Sequence, residues 1–551
     1  MTPISQISDL FIIGGGINGC GIARDAAGRG LSVTLAEQGD LAQGTSSAST
    51  KLFHGGLRYL EFFEFGLVRK ALEERETLLC AMPHISRPMR FVLPLSSEMR
   101  FESETPASRL LARLMPWLKG RRPDWMIRIG LFAYDFLGGR KILPGTATLD
   151  LRRDPAGAAL EPRFRKAYEY SDCVVEDSRL VVLNARDAAA RGAAIRTGAK
   201  VVAARREGDL WRVTLETQDG TEEHLARALV NAGGPWAMEV IRDVAHLQTQ
   251  ESIRLVRGSH IVVPRMFDHG RSYFLQGEDG RIIFAIPYEG DFTLIGTTDQ
   301  DHHGDPLSAH CTEEERDYLL GFANRYFRQK LRAKDVVWTY SGVRPLYDDG
   351  ARSATAATRD YVLKVEDEGG APLLNIFGGK ITTYRRLAEQ AMEKLAPYFP
   401  GLGPDWTAGV ALPGGDFPHD GGPDLLRKLQ ARAPWLFTEE AERLIRTYGT
   451  EAFQIIGTAQ SAADMGRHFG AGLTEAELRW QMELEWARSA DDVIWRRTRL
   501  GLKLSEEEIA ALEIWMQAQQ TARPARNPPA SRSIPPEGAT EEDGDDLPAG
   551  H

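Results

Sequence analysis

The 551-residue sequence carries a formal net charge of −10, with 42% hydrophobic and 26% charged residues. That composition fits a soluble globular chain of two or three domains and disfavours general nucleic-acid binding. Its four cysteines, Cys20, Cys80, Cys173 and Cys311, lie far apart, so no metal centre or disulfide framework is expected and a reducing cytoplasm fits best. No secretory signal is read at the start, and no stretch reaches the roughly 18 apolar residues that a bilayer span needs.

In chain order, residues 9–37 read as strand, Gly-rich turn, helix and strand. A Ser/Thr-rich loop at 45–50 and a helix from about Gly66 to Met82 follow. The middle of the chain alternates short β runs with turns, as at Trp211–Glu216, Ala228–Asn231, Ser259–Val263, Arg281–Ile286 and Thr293–Gly296, with helical patterns at 178–191 and 313–330. From about residue 405 the pattern is almost wholly helical. Thr474 with Glu477, and Ser505 with Glu508, read as capping boxes. The chain beyond residue 521 is Pro-rich and acidic and is expected to be disordered.

Gly14-Gly-Gly-Ile-Asn-Gly19 follows the strand Leu10–Ile13 and opens a helix over 17–28, after which a second strand ends at Glu37. Glycines here let the backbone turn tightly against a pyrophosphate whose charge sits on free helix amides. Gly14, Gly16, Asn18 and Gly19 are therefore candidate dinucleotide contacts, and Glu37 is placed to accept hydrogen bonds from the adenosine ribose. Two further segments favour FAD over NAD. Leu229–Trp236 is a strand running into a small-residue turn at Ala232 and Gly233. Phe377–Tyr384 is a second Gly-rich turn before a helix, with Gly379, Lys380 and Thr382 suited to the flavin end.

Several segments together resemble the aerobic, FAD-dependent glycerol-3-phosphate dehydrogenases: Thr45–Glu61, Gly258–Pro264, Ile295–Asp299, Tyr340–Leu346, Thr358–Tyr361 and the 377–384 turn. The likeness runs from about residue 8 to about 510. It implies a Rossmann-type α/β FAD-binding domain, an α+β substrate (cap) domain of the D-amino-acid-oxidase-like kind, and an all-helical C-terminal domain. The expected division puts the FAD-binding and cap domains over 1–400. The nucleotide parts are at about 8–90, 150–240 and 340–400, and the cap parts at about 91–149 and 245–339. The helical domain covers 401–520 and the tail 521–551. The family oxidises sn-glycerol 3-phosphate to dihydroxyacetone phosphate and passes the electrons to a membrane quinone.

The resemblance places Thr45, Ser46, Ser47 and Ser49 beside the cofactor. A phosphate dianion needs clustered cations, and Arg58, Arg344, Arg359 and Lys380 lie in or beside matching turns, with Tyr59 offering a phenol. For the hydroxyl proton, His260 and His54 both fall in matching motifs. His260 is the preferred base, His54 is equally readable as structural, and Arg344 is suited to a developing alkoxide. FAD is expected to be non-covalent, since no Cys or His stands in the 377–384 turn.

Residues 96–118 are longer than the usual family spacing. Between Arg109 and Lys141, eight basic residues stand against Asp124 and Asp135, a local balance of +6, interleaved with Trp117, Trp125 and aliphatics. Such a mixture describes a segment lying in a headgroup layer. It gives a cytoplasmic protein attached peripherally to the inner face of the cytoplasmic membrane. The size of the helical appendage is compatible with a homodimer. Two rivals remain at this stage: a dioxygen-using oxidase of the same fold, and a non-catalytic FAD-binding protein.

Overall fold

The computed structural model describes residues 7–96, 99–101, 105–118, 120–277, 280–348 and 360–522. Arg359, Lys119 and the tail beyond Ala522 lie outside the described residues.

Two sheets divide the first 400 residues. The first is ordered Val362–Glu366, Leu373–Phe377, Gly220–Asn231, Ser8–Ile13, Val33–Glu37 and Ala194–Thr197. Its central strands run parallel, with Ile12 flanked by Leu35 and Val230. Leu10, Phe11, Ile12 and Val230 are fully buried, as a parallel sheet covered on both faces requires. Each such side chain stabilises the fold by about 1.5–3 kcal/mol. The helix Ile17–Gly28 packs against Asp177–Ala190 and Tyr384–Leu395 on one face. An antiparallel pair, Lys200–Glu207 and Leu210–Thr217, extends Gly220–Asn231 on the other.

The second sheet is mostly antiparallel and has ten strands. Ile253–Pro264 lies between Phe292–Gly296 and Trp338–Tyr347, and Ser86–Pro94 and Lys166–Val175 complete the far side. The pairing sets His260 opposite Gly296 on one side and Tyr340 on the other. The expected division allots 166–175 and 340–347 to the nucleotide part, and both segments hydrogen-bond into the second sheet. Their apolar alternation suits either sheet; only pairing with distant strands decides which one they join.

The helix Asp124–Leu137 lies over the second sheet, and Pro106–Leu114 precedes it and packs against Leu57–Phe62. Leu131 and Tyr134 point inward, while Leu114, Trp117, Ile129, Phe132 and Phe136 are exposed. Arg109, Arg113, Arg121 and Arg128 are exposed as well, but Arg122 is not. It is buried, bonds Glu61 at 2.7 Å and lies over the Phe101 ring. The interfacial reading of 109–141 therefore loses one of its cations to an internal pair. No helix among the described residues is long and apolar enough to cross a membrane.

The C-terminal helices include Gly422–Arg432, Thr438–Tyr448, Glu475–Leu484 and Glu506–Ala522. The Ser505 box forms as expected, with reciprocal bonds of 2.9 and 3.2 Å to Glu508. At Thr474 only half of it forms. The Thr474 hydroxyl caps Glu477 N–H, but the Glu477 carboxylate turns inward to Arg443 (2.6 and 2.7 Å) and the Tyr448 hydroxyl (2.8 Å). A buried guanidinium competes better for a carboxylate than one backbone amide does. Trp495 of this domain stacks on Trp338 of the second sheet, with ring centroids 4.4 Å apart.

Candidate active site

A cavity of about 460 Å³ lies between the two sheets. One arm follows the Gly-rich turn. Gly14 has φ +111°, and a β-carbon there would stand 2.5 Å from the Ala232 carbonyl oxygen. At Gly19 a β-carbon would meet the Gly14 carbonyl at 2.0 Å, so Gly19 serves close helix–turn packing and does not line the cavity. Gly14, Gly16, Asn18, Ala232 and Gly233 do line it. The turn is thus a cradle that side chains would fill, which is what a pyrophosphate needs.

Glu37 lines the same arm, and its carboxylate accepts the Gly15 N–H at 2.7 Å and the Gly39 N–H at 2.9 Å. Burial raises its pKa, and the two amides work against that rise. Ser46 accepts the Ile17 N–H at 3.0 Å, at the start of the helix. At the other end, Gly378 and Gly379 (φ +75° and +107°) bring the 377–384 turn against Asn18, whose Nδ2 donates to the Gly378 carbonyl at 3.2 Å. Asn18 Oδ1 is buried with no hydrogen-bond partner, an acceptor left over for a ligand. Thr45, Ser49, Gly379 and Thr382 join this wall. Ser47 does not line the cavity; its carbonyl accepts from Lys51 Nζ at 3.0 Å.

The same cavity gathers the expected cations. Arg58, Tyr59, Arg344 and Lys380 all line it, although they come from two stretches of chain far apart in sequence. Lys380 Nζ sits 4.0 Å from the Tyr59 ring centre. Arg344 is held by Asp299 and by the Thr297 hydroxyl at 3.2 Å. Gly258 makes room for it, since a β-carbon there would lie 2.2 Å from Arg344 Nη2. Asp299 ends one of the quoted motifs, yet its tether to Arg344 was not read from the sequence.

His54 lines the cavity, and His260 does so from within the sheet, with 1% of its surface exposed. The His260 ring stacks on Tyr340 at 4.7 Å, and its Nε2 is 3.0 Å from Thr50 Oγ1. Burial, then the charges of Lys51 and Arg344, hold its pKa well below that of a free imidazole. It is therefore neutral at physiological pH and a weak base. Asp172 also borders the cavity and was missed by sequence reasoning; it is fully paired only through the fold, with Arg75 at 2.7 Å and Tyr134 at 2.6 Å.

Residues 9–385 match the family model described as FAD dependent oxidoreductase. The chain belongs to the FAD-dependent oxidoreductase family. Its cofactor is FAD, and the glycine cradle and two-ended cavity fit that long dinucleotide. In this flavoprotein, residues 406–521 match a second model, the C-terminal domain of alpha-glycerophosphate oxidase. Among curated relatives, a D-erythritol 1-phosphate dehydrogenase of Brucella abortus is 50% identical over 93% of this chain and 98% of its own length. The aerobic glycerol-3-phosphate dehydrogenase of Escherichia coli is 47% identical over 93% of this chain and 97% of its own. The crystal structure of the glycerol-3-phosphate dehydrogenase from Bacillus halodurans, complexed with FAD, superimposes with a TM-score of 0.69 at 26% identity, covering 94% of this chain and 95% of that one.

Proposed function

We propose that this flavoprotein oxidises sn-glycerol 3-phosphate to dihydroxyacetone phosphate and delivers the electrons to a membrane quinone. The observation that carries the reading is that Arg58, Arg344 and Lys380 line the same cavity as the dinucleotide cradle. Three cations around one pocket match a phosphate dianion, and the arginine forks each offer paired donors to its oxygens. Bound FAD supplies the acceptor for the two electrons of the carbinol. Tyr59, beneath the Lys380 ammonium, orients that cation, while Asp299 and Thr297 fix the Arg344 fork. Arg344 also carries positive charge toward a developing alkoxide. The hydroxyl proton passes to neutral His260 Nε2 by way of the Thr50 hydroxyl, which lines the cavity; a weak base suffices because the hydroxyl becomes acidic as the carbinol is oxidised.

The exposed apolar stripe supports the membrane part of the proposal. Trp117 is 75% exposed, Ile129 60% and Phe136 63%, next to exposed Arg109, Arg113, Arg121 and Arg128. Exposed apolar side chains beside exposed cations fit insertion into an anionic headgroup layer, next to the bilayer interior where a quinone resides.

A second substrate reading is favoured by one observation, the 50% identity to a D-erythritol 1-phosphate dehydrogenase. Both substrates pair a phosphate with a secondary alcohol, so the cations serve either. The deciding experiment is anaerobic addition of each polyol phosphate to the purified protein while the flavin absorbance is followed. Glycerol 3-phosphate is expected to bleach the flavin at lower concentration than D-erythritol 1-phosphate. The reverse order would transfer the assignment, and no bleaching by either would overturn it. Peroxide measured during aerobic turnover separates a dehydrogenase from an oxidase.

A further inference from the structure

Three arginines within four residues, Arg496, Arg497 and Arg499, leave the helical C-terminal domain and enter the nucleotide domain. Arg496 Nε donates to the Asp40 carboxylate at 2.5 Å, and Arg497 Nη1 and Nη2 grip both of its oxygens at 2.7 Å. Arg499 Nη2 donates to Asp177 Oδ1 at 2.7 Å and to the Ser178 hydroxyl at 3.0 Å. The Arg497 side chain is 0% exposed and that of Arg499 is 5% exposed. Arg499 also adopts φ +74°, a left-handed conformation that costs a non-glycine residue energy and persists only where surrounding contacts hold it.

Both acceptors anchor loops of the FAD cavity. Asp40 sits within the segment whose Gln38, Ala42 and Gln43 line it. Asp177 accepts the Ser49 N–H at 3.1 Å, the Ser49 hydroxyl at 2.8 Å and Lys51 Nζ at 2.9 Å. Through these bonds it holds the segment that carries Ser49 and Thr50 into the cavity and Thr50 against His260. Asp40 and Asp177 are both buried; without Arg497 or Arg499 each keeps a single cation, Arg496 or Lys51, and loses charge-assisted bonds that fix its position. The position of each loop thus depends on an arginine from the helical domain. Another cation at the same boundary behaves differently. Arg186 bonds Glu451 at 2.5 and 2.8 Å, and neither residue lines the cavity.

We propose that Arg497 and Arg499 are positioning residues for the cofactor, making the C-terminal domain a clamp that fixes two loops around bound FAD. The inference rests on the cofactor of the family and is independent of the substrate.

The test uses full-length holoenzyme and three variants: Arg497→Met, Arg499→Met and, as a control for docking alone, Arg186→Met. FAD release after dilution is followed by the rise in flavin fluorescence, and thermal unfolding by circular dichroism. Arg497→Met and Arg499→Met are expected to release FAD at least about tenfold faster than wild type. Arg186→Met should stay within about twofold, even where its loss of Tm is as large. Arg499→Lys should recover part of the retention. Equal release rates from all three methionine variants would reduce the arginines to domain docking and overturn the proposal. Should an arginine variant yield no folded holoenzyme, Asp40→Asn probes the same contact from the loop side, with the same tenfold expectation and the same overturning result.

Discussion

The phenol of Tyr134 accepts a hydrogen bond from the backbone N–H of Gly55 at 2.7 Å. Gly55 has no space for a side chain, since a β-carbon would fall 2.4 Å from Leu72 and 2.8 Å from the Tyr134 ring. The Tyr134 hydroxyl then donates to Asp172 at 2.6 Å. The helix whose outer face carries Ile129 and Phe132 thereby holds the loop that bears His54, Arg58 and Tyr59.

Tyr134→Phe keeps the ring and removes both bonds. It leaves a buried amide without its acceptor, at a cost of about 1–3 kcal/mol, and frees the loop to shift. The KM for glycerol 3-phosphate should rise roughly tenfold with less change in kcat, because small displacements of binding groups weaken substrate positioning steeply. Steady-state kinetics with a water-soluble acceptor, run alongside a measurement of flavin content, check this. An unchanged KM would assign Tyr134 to packing alone.

Arg344→Ala should depress activity and spare FAD content, because Arg344 is one of the proposed phosphate cations. Its side chain is 30% exposed, so the loss belongs at the low end for a charge-assisted pair, about 2 kcal/mol or roughly a 30-fold fall in kcat/KM. Unphosphorylated glycerol should be a poor substrate for the wild type. Equal efficiency on glycerol and glycerol 3-phosphate in the wild type would show that the cations do not read a phosphate.

Membrane attachment should respond to both kinds of surface residue. Basic residues near anionic lipid contribute roughly 1 kcal/mol each, and burying a large apolar side chain about 1.5–3 kcal/mol. High salt should weaken liposome binding without abolishing it, and detergent should release the protein. Ile129→Glu with Phe132→Glu should prevent flotation with anionic vesicles and slow quinone reduction, while flavin reduction by substrate continues. Arg122 is unsuited to such a test, because breaking its buried pair with Glu61 disturbs the fold first. Wild-type flotation by the double variant would place the contact elsewhere.

His84 is buried at the boundary with the C-terminal domain. Neither ring nitrogen is hydrogen-bonded, and the ring lies 6.4 Å from that of Phe417. Burial, then the charges of Arg179 and Arg186, pull its pKa down to about 3. Between about pH 6.5 and that value the unfolded chain binds the proton and the folded one does not, so stability is full above pH 6.5 and is lost as the pH falls. His84→Leu should flatten the decline of Tm between about pH 6.5 and 4.5. An unaltered slope would mean that other groups govern acid lability.

What the sequence reveals follows the range of the interactions involved. The glycines of the first turn are legible because their constraint is local: strand, turn and helix lie within thirty residues of one another. Arg58, Arg344 and Lys380 are recognisable as candidates from their motifs, but their convergence on one cavity depends on the packing of two sheets. Arg122 reads as a surface cation because its partner, Glu61, is not a helical neighbour. Asp177 and Arg499 stand 322 positions apart, and nothing in either local pattern announces the pair. The Thr474 box is misread for a related reason: the inward arginine that captures Glu477 belongs to another helix.

The walls of the cavity also set an order of events in synthesis. They begin with Ile13 and are not complete until Thr382, and the central strand Ser8–Ile13 waits for Gly220–Asn231 before its second edge is paired. Pairings so distant along the chain are slow to form and leave strand edges open meanwhile. The nucleotide pocket therefore does not exist while the first 200 residues emerge from the ribosome, although those residues contain the whole glycine fingerprint. Cofactor capture thus waits until the chain has passed the 377–384 turn. A shortage of flavin in the cell would accordingly show itself in the turnover of full-length apoprotein by proteases, with little accumulation of truncated nascent chains.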